Sequence, residues 1–392
     1  MNIGIDATCW WNNRGFGRFT RGLLTALFEL DTHHHYTLFT DQPMADVSRF
    51  SHVTVIEVHS SRPTTEAAVA DSNRSPFDML RLYRAVAGAP LDIMYFPAVY
   101  SWFPAPLRLP TVVTVHDAIA EHYPKLIFSS WRSRFFWTLK IKLAIWNSDR
   151  ILTMSEAAKQ EIVEYIGARA ESIDIASEAP NPLFRRTTDQ VLIAAARARA
   201  GLPEAAPIII YVGGLAPHKN LHGLLDGFER ANSRGHAQEV HVALVGDFEG
   251  AGFLSNYGSL WRRVEQNPEL RNRVHFTGYV SDEDLVALYS SAIAVAMPSY
   301  SEGFGLPAIE AMACATPVLS SNLGSLPEVV GDAGIYFDPF DVDAIAQSII
   351  EIVENTGLRE DLSAKALARA PQFTWERSAE LTLAHLERLY ES

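Results

Sequence analysis

Short apolar runs alternate with helical patterns twice along this 392-residue chain. The first series of strand-like runs comprises Asn2–Asp6, Tyr36–Phe39, Val53–Val58, Asp92–Phe96, Thr111–Val115 and Ile151–Met154. The second series comprises Ile208–Val212, Val240–Val245, Val274–Thr277, Ile293–Met297 and Pro317–Leu319. Strands that alternate with helices predict parallel sheets covered by helices on both faces. The sequence therefore predicts an α/β chain made of two doubly wound, Rossmann-like domains.

The segment Pro180–Arg199 separates the two series, because it has lost strand character and contains an Ala/Arg-rich helical pattern. The last helical pattern keeps Leu383, Leu386 and Tyr390 on one side, so we expect that helix to pack back on the body. Ligands of doubly wound sheets bind beyond the carboxyl ends of the strands, which predicts a cleft between the domains. We predict three parts: an N-terminal Rossmann-like domain over 1–185, a C-terminal Rossmann-like domain over 186–373, and the terminal helix over 374–392.

Charge and composition exclude several classes of protein. The net charge of −13 argues against a nucleic-acid binder, because phosphate backbones attract basic surfaces. Cys9 and Cys314 lie in different halves and cannot build a disulfide framework, which favours a reducing compartment. No secretory signal precedes the first strand, and no apolar run reaches the roughly 18 residues of a membrane span. We expect a soluble, cytoplasmic protein.

Two carboxylates, Glu302 and Glu310, stand eight positions apart around a glycine loop. Pro307 suits the first position of a helix, which puts Glu302 in the loop and Glu310 on the helix. The amides of Gly303–Leu306 and the positive helix end would then face an anion such as a pyrophosphate. A carboxylate accepts two hydrogen bonds from neighbouring hydroxyls, and sugars and ribose both offer such diols. The alternative is a glycine loop that only starts a helix, with a surface glutamate.

This segment resembles the Glu, seven residues, Glu signature of the family 4 retaining glycosyltransferases, which have the GT-B fold. The likeness extends over nearly the whole chain. The resemblance implies that Glu302 holds the donor hexose and Glu310 the ribose hydroxyls. It also implies that the loop contacts the sugar and phosphates through the backbone of Gly303, Phe304, Gly305 and Leu306. The resemblance therefore implies a nucleotide diphosphate sugar donor bound by the C-terminal domain, an acceptor bound by the N-terminal domain, and no cofactor.

A second glycine turn, Gly213-Gly214, follows a strand, and Lys219 stands just before the next helix. A lysine at this place can neutralise a diphosphate leaving group, although a solvated lysine at a helix start is the plainer interpretation. The family often has an arginine where this chain has Gly214, which leaves the phosphate site one cation short. We hypothesise that Arg18 supplies that cation across the closed cleft.

The turn around Gly17 and Arg18 lies between the first strand and the first helix. Alone, a glycine turn is about as often structural as ligand-binding. Together with the other motifs it resembles the family loop that approaches the diphosphate, with Gly17 allowing close backbone contact.

His116 ends a buried strand, where residues of a cleft belong. A lone histidine is often a satisfied core residue, but position and resemblance place His116 at the reaction centre, in contact with the donor sugar. We do not assign it as a base. Together with Glu302 and Lys219 it forms the predicted catalytic set.

Three further features complete the sequence predictions. By resemblance, the backbone around Tyr279 and Val280 meets the nucleobase. Ser155 is interpreted as a helix N-cap rather than a site residue. The adjacent residues His33–His35 point apart and have no further ligands spaced nearby, so no metal site is predicted.

The resemblance implies a retaining transfer of a hexosyl group to a glycan or lipid-linked acceptor, in polysaccharide or lipopolysaccharide biosynthesis. Bacterial mannosyltransferases are the most similar members, so GDP-mannose is the first choice of donor, followed by a UDP-hexose or a deoxyhexose donor. Rival interpretations are a nucleotide-sugar epimerase or a sugar phosphorylase of the same fold, or a non-catalytic protein that binds nucleotide sugars.

One basic, aromatic stretch lies between Lys125 and Arg150. It is either a helix packed on the sheet with its lysines extended to solvent, or a peripheral membrane surface for a lipid-linked acceptor. The basic residues that decide between these interpretations are Arg132, Arg134, Lys140 and Lys142.

Overall fold

The computed structural model describes residues 1–12, 15–61, 75–246 and 254–391. Among these residues the chain divides into two compact units. Unit 1 contains residues 1–179 and 374–391, and unit 2 contains residues 180–373. The division falls after Ala179, whereas the sequence places the boundary after Arg185.

Unit 1 is built on a parallel sheet for which the structure describes seven strands. They are β1 (Asn2–Asp6), β2 (His35–Thr40), β3 (Val53–Glu57), β4 (Ile93–Phe96), β5 (Thr111–Thr114), β6 (Arg150–Thr153) and β7 (Ile173–Ile175). Their order is β3-β2-β1-β4-β5-β6-β7, so the chain starts in the middle and the winding reverses between β1 and β4. In register, Ile5 lies between Leu38 and Tyr95. Side chains at the carboxyl ends near this reversal are placed to meet ligands.

The helices of the first part of unit 1 cover this sheet. They are α1 (Gly15–Leu30), α2 (Pro76–Gly88), α3 (Ile119–His122), α4 (Pro124–Ile127), α5 (Trp131–Trp146) and α6 (Glu156–Glu161). Shorter turns occur at Val99–Ser101, Ile162–Ile166 and Ala170–Ser172. The Ser130 hydroxyl accepts a hydrogen bond from the Ser133 amide at 3.2 Å and starts α5. The Ser155 hydroxyl accepts from the Ala158 amide at 3.0 Å, which confirms Ser155 as an N-cap.

Unit 2 is built on a second parallel sheet, with six described strands. They are β8 (Ile208–Val212), β9 (His241–Val245), β10 (Val274–Gly278), β11 (Ala294–Met297), β12 (Val318–Ser321) and β13 (Gly334–Phe337). Their order is β10-β9-β8-β11-β12-β13, and the winding reverses between β8 and β11. Ile209, Leu244 and Ala296 are fully buried. Burial on both faces explains why these strands appear as continuous apolar runs.

The helices of unit 2 are α7 (Gln190–Arg199), α8 (Leu221–Ser233), α9 (Tyr257–Gln266), α10 (Pro268–Arg271), α11 (Asp282–Ser291), α12 (Leu306–Ala313), α13 (Leu326–Val330), α14 (Val342–Glu354) and α15 (Thr356–Arg369). Two turns of 3₁₀ helix occur at Pro217–Lys219 and Ala370–Gln372. Helices α8 and α14 pack closely, because a Cβ at Gly227 would lie 2.4 Å from the Ile345 side chain. Glycine at 227 therefore sets the distance between these helices.

The last helix, α16 (Trp375–Tyr390), belongs to unit 1 and packs on α1. A Cβ at Gly22 would lie 2.3 Å from the Trp375 ring, and the Phe19 and Trp375 ring centroids are 5.9 Å apart. Leu386 is buried as the pattern predicts, but Tyr390 is 52% exposed. The prediction that Tyr390 lies on the buried side is therefore wrong.

The two sheets confirm the predicted architecture of two Rossmann-like, doubly wound domains. Strands β7 and β13 are absent from the sequence prediction, because each is an edge strand of at most four residues. Within the parts of the chain that the structure describes, no helix has both the length and the apolar character needed to cross a membrane.

Candidate functional site

The loop that precedes α12 carries the first of the two predicted carboxylates. Gly305 caps the helix with φ of 98°, and a Cβ there would lie 2.8 Å from the Leu326 side chain. Glycine is therefore required at this position, both by backbone conformation and by space. Leu306 is the first helical residue and Pro307 the second, which corrects the prediction for Pro307 by one position. Glu302 lies in the loop and Glu310 lies on the helix, as predicted.

Glu302 is the centre of a buried hydrogen-bond cluster. Its side chain is almost fully buried, and both carboxylate oxygens accept a hydrogen bond from the Lys219 ammonium at 2.7 Å. The Ser299 hydroxyl donates to Glu302 Oε1 at 2.6 Å. A buried carboxylate is stable only when it is paired and hydrogen-bonded, and these two partners meet that need. The sequence predicts both Lys219 and Glu302 but gives no sign that they pair.

Ser325 holds the backbone of the Glu302 loop through its hydroxyl group. Its hydroxyl lies 2.9 Å from the Glu302 carbonyl oxygen and 2.8 Å from the Phe304 carbonyl oxygen. Phe304 itself is buried and packs its ring against Phe373, with centroids 5.7 Å apart. The loop is therefore held before any ligand arrives, which is what a binding site for a charged group requires. Sequence reasoning missed Ser325, because it lies 21 and 23 residues from its partners.

The turn that carries Lys219 is tied to the same loop. Asn220 follows in the left-handed region with φ of 53°, a conformation that asparagine tolerates. The Tyr300 hydroxyl donates to Asn220 Oδ1 at 2.8 Å, and the Tyr300 amide donates to the His218 carbonyl at 2.9 Å. Asn220 Nδ2 also donates to the Pro339 carbonyl at 2.8 Å. These bonds hold Lys219 beside Glu302.

Glycines gather at the carboxyl ends of β8, β9 and β10. Gly213 has φ of 145°, and its carbonyl oxygen would lie 2.2 Å from a Cβ at Gly246. The Gly246 amide in turn donates to the Gly278 carbonyl at 3.0 Å. Tyr211 lies beneath this turn and donates its hydroxyl to the Gly214 carbonyl at 2.6 Å. The backbones at 213 and 246 can approach each other this closely only because residue 246 has no side chain.

Gly214 differs from its neighbour Gly213. A Cβ at Gly214 would meet no atom within 4 Å, and the residue is exposed. The structure therefore leaves room for a side chain at the position where the family often has an arginine.

Electrostatic effects of the Lys219 and Glu302 charges extend to the residues around them. Burial and, to a smaller extent, the negative charge of Glu302 raise the pKa of the Tyr211 hydroxyl well above its ordinary value. Burial and, to a smaller extent, the positive charge of Lys219 lower the pKa of His218 well below its ordinary value. Both side chains are therefore neutral near pH 7, and Lys219 and Glu302 carry the charge of this cluster.

The predicted nucleobase contacts follow β10. Tyr279 is 77% exposed and Val280 is half-buried. An exposed aromatic ring beside a glycine turn is available to a ligand, but the nucleobase contact stays a prediction.

In unit 1, His116 lies just beyond β5 and is buried. Its Nδ1 lies 3.3 Å from Glu178 Oε1, and its Nε2 lies 3.2 Å from the Pro97 carbonyl oxygen. The Phe19 ring packs edge-on against the imidazole, with centroids 4.8 Å apart. Both ring nitrogens thus face acceptor oxygens within unit 1, so contact with a donor sugar would require one nitrogen to leave its acceptor. Sequence reasoning missed Glu178.

Gly17 and Arg18 lie in the first turns of α1, also in unit 1. A Cβ at Gly17 would lie 1.9 Å from the Asn12 carbonyl oxygen, so glycine is needed there to pack the preceding loop. Arg21 holds the same loop through hydrogen bonds to the Trp10 and Asn12 carbonyl oxygens. This packing explains the glycine without a ligand. The roles of Gly17 and Arg18 towards a diphosphate stay predictions.

Comparison with known proteins gives two family matches and several relatives. The chain is 40% identical over 179 residues to O-antigen chain mannosyltransferase B of Escherichia coli, a match that covers 44% of each chain. It is 25% identical over 418 aligned positions to the serotype-specific mannosyltransferase WbdA of Escherichia coli, covering all of this chain and 48% of the relative. The chain thus spans about half the length of the curated relatives it matches.

Among solved structures, the sucrose-phosphate synthase of Thermosynechococcus elongatus aligns with a TM-score of 0.73 and 22% identity, over 99% of this chain and 98% of that one. This likeness supports the GT-B fold. The family model "Glycosyltransferase Family 4" matches residues 14–177, and "Glycosyl transferases group 1" matches residues 193–369. With one such domain in each half, the chain belongs to the GT-B glycosyltransferases.

Proposed function

We propose that this chain is a retaining hexosyltransferase that moves mannose from GDP-mannose to a glycan or lipid-linked acceptor in polysaccharide biosynthesis. The observation that carries the proposal is the buried cluster in which Lys219 and Ser299 hold Glu302 at the head of α12. It combines a carboxylate for sugar hydroxyls, a cation for phosphate and a helix N-terminus in one place. Two relatives named as mannosyltransferases support the choice of mannose.

The residues of the Glu302 loop, Glu310 and Lys219 each have a specific role in binding the donor. Glu302 holds the hexose hydroxyls and Glu310 the ribose hydroxyls. The phosphates lie against the amides of the loop from Gly303 to Leu306, at the positive end of α12. Lys219 exchanges its bonds with Glu302 for bonds with the diphosphate, because a flexible ammonium has three donors to share.

The donor contacts of unit 1 and of the glycine turns belong to the same proposal. Residues proposed to contact the donor outside the Glu302 loop are Gly17, Arg18, His116, Gly213, Gly214, Tyr279 and Val280. In this proposal unit 2 supplies most of the contacts to the nucleotide sugar, and unit 1 adds these few and binds the acceptor.

The proposed chemistry requires no enzyme nucleophile. The bond between the anomeric carbon and the phosphate oxygen breaks, and its electron pair stays with the phosphate. The acceptor oxygen forms the new bond on the same face of the sugar, and its proton passes to the leaving phosphate oxygen. The protein acts by positioning both substrates and by stabilising the charge that develops on the diphosphate, which is the part of Lys219.

The rival functions differ in what they release. An epimerase leaves the nucleotide attached to the sugar, a phosphorylase requires inorganic phosphate, and a binding protein releases nothing. We further propose a cytoplasmic enzyme with peripheral contact at the inner face of the membrane, where a lipid-linked acceptor would lie.

The deciding experiment combines a thermal-shift screen of nucleotide sugars with a transfer assay. We expect GDP-mannose to stabilise the protein most and GDP to appear only when an acceptor is present. An NMR spectrum of the product should show the α configuration of the donor retained. Stabilisation by UDP-hexoses alone would contradict the choice of donor, and GDP release without an acceptor product would contradict transferase activity.

A further inference from the structure

Helix α5 is apolar on two opposite sides. Trp137, Ile141 and Ala144 are buried and pack into the core of unit 1. Successive residues of a helix turn by 100°, so these three residues lie on one side of α5. A surface helix of a soluble protein usually has polar residues on its other side. The other side of α5 does not follow this rule.

We call that other side the α5 outer face. It consists of six exposed apolar side chains: Trp131, Phe135, Phe136, Leu139, Leu143 and Trp146. At 100° per residue all six fall within about 140° of arc, opposite the buried side. Among the described helices none exposes as many large apolar side chains; α2 comes next with Phe77, Leu80 and Tyr83. An exposed apolar surface of this kind indicates an interaction site.

Basic residues accompany the α5 outer face. Arg132 and Lys142 are exposed and lie within the same arc, Arg134 is exposed about 60° outside it, and the helix contains no acidic residue. Arg132 lies over the Trp131 ring, 5.6 Å from its centroid. Lys140 points the other way and donates to the Tyr100 carbonyl. In a chain with a net charge of −13, this helix is a local positive surface.

The combination of positive charge and aromatic rings indicates what binds the α5 outer face. In a symmetric dimer built on this face, the basic side chains of both copies would come together and repel. An anionic lipid surface attracts them instead. Tryptophans at both ends, Trp131 and Trp146, suit the boundary between headgroups and acyl chains. At 16 residues, or about 24 Å, α5 is too short to span a bilayer but can lie in its surface.

We propose that the α5 outer face docks unit 1 on the surface of a membrane that contains anionic lipids. The rings of the face enter the headgroup region, and Arg132 and Lys142 contact lipid phosphates. This inference depends on the exposed face alone, so it can be tested separately from the sugar-transfer reaction. It gives a lipid-linked acceptor a fixed place relative to unit 1.

The first test is flotation of the full chain with vesicles of phosphatidylcholine, with and without phosphatidylglycerol. We expect binding to the anionic vesicles, weakened by added salt because surface charges are screened. Changing Arg132 and Lys142 to Gln should lower the partition coefficient about thirtyfold, at roughly one kcal/mol for each cation. A matched control carries Arg262→Gln and Arg271→Gln, two arginines elsewhere on the chain, and should bind normally.

The second test concerns the rings. Trp131→Ser with Phe136→Ser should reduce binding at least about tenfold, since two apolar side chains no longer leave water. Phe77→Ser removes an equally exposed ring from α2 and should change nothing: Phe77 is 75% exposed and Trp131 74%. If the charge variant and the ring variant both bind the vesicles as well as the wild type does, the proposal is wrong. A concentration-dependent dimer in analytical ultracentrifugation that the ring variant abolishes would also overturn it, because a second copy would then cover the face. Donor turnover with a water-soluble acceptor, measured in parallel, should be unchanged.

Discussion

Each unit contains a buried glutamate bonded to a nitrogen base, but the two pairs are built differently. In unit 2, Lys219 Nζ lies 2.7 Å from both oxygens of Glu302, and the lysine side chain is 22% exposed. In unit 1, His116 has one nitrogen on Glu178 and the other on the Pro97 carbonyl oxygen. A lysine can turn from one acceptor to another, whereas a buried imidazole held between two acceptor oxygens has little freedom to turn. The Lys219–Glu302 pair can therefore exchange its bonds for bonds to a ligand. The Glu178–His116 pair instead holds the imidazole in one orientation.

The largest expected effect comes from breaking the pair in unit 2. Lys219→Ala and Glu302→Ala should each lower kcat/KM for the donor about a thousandfold, because each removes a group that stabilises the transition state. Circular dichroism should show that both variants remain folded. The Lys365–Asp361 pair of the same unit has the same 2.7 Å distance but is exposed, so Lys365→Ala should have normal activity.

A double variant tests whether the pair is exchangeable. Lys219→Ala alone leaves the Glu302 carboxylate uncompensated beside the proposed diphosphate site. Adding Glu302→Gln removes that charge and should recover about tenfold in the affinity for GDP, measured by titration calorimetry. If the double variant binds GDP no better than Lys219→Ala, the two charges do not act on the same ligand.

The two pairs also show which features can be predicted from the sequence and which cannot. Apolar runs predict both sheets, and a glycine loop with a helix start places Glu302 and Glu310 correctly, because these are local patterns. The pairing of Lys219 with Glu302 spans 83 residues, and that of His116 with Glu178 spans 62. Such contacts depend on which strands become neighbours, and no local pattern specifies that order. Ser325 was not predicted because its contacts with the Glu302 loop are also distant in sequence.

The pair in unit 1 should produce a smaller effect than the pair in unit 2. Glu178→Ala leaves His116 Nδ1 without its partner and should lower kcat about tenfold, with KM for the donor nearly unchanged. Glu178→Gln should lose less, because the amide oxygen still accepts from the ring. If Glu178 acts only through His116, adding Glu178→Ala to His116→Ala should cause no further loss. Additive losses in the double variant would show that Glu178 has a separate role.

The two glycines of the β8 turn permit a test of the missing cation. If Arg18 supplies it, Arg18→Ala should weaken donor binding about tenfold, and Gly214→Arg in that background should restore it. Gly214 has open space for the new side chain. Gly213→Ala serves as a contrast and should destabilise the protein, since φ is 145° and the Tyr211 hydroxyl would lie 3.0 Å from the Cβ. Unchanged affinity in Arg18→Ala would refute the compensation.

The smallest effects concern the pH dependence of stability, for which the two units should have opposite signs. In unit 1, burial, with a contribution from the charge of Asp117, raises the pKa of Glu121 to about 7, from an ordinary value of 4.5. The folded state therefore holds this proton more tightly than the unfolded state. The resulting stability is complete below pH 4.5 and is lost as the pH rises through 7. In unit 2, the pKa of His218 is lowered, so its contribution is complete above about pH 6.5 and declines below it.

Two substitutions separate these contributions. Glu121→Gln keeps an oxygen for the Trp137 indole, which donates to Glu121 at 2.8 Å, and should raise stability by about 3 kcal/mol at pH 8 but not at pH 4.5. His218→Asn should instead flatten the decline in stability between pH 6.5 and 5. Melting temperatures of the full chain from pH 4.5 to 8 measure both. A Glu121→Gln variant whose stability parallels that of the wild type across this range would mean that the carboxyl is ionised in the folded protein without a penalty. The contrast between the two units would then rest on His218 alone.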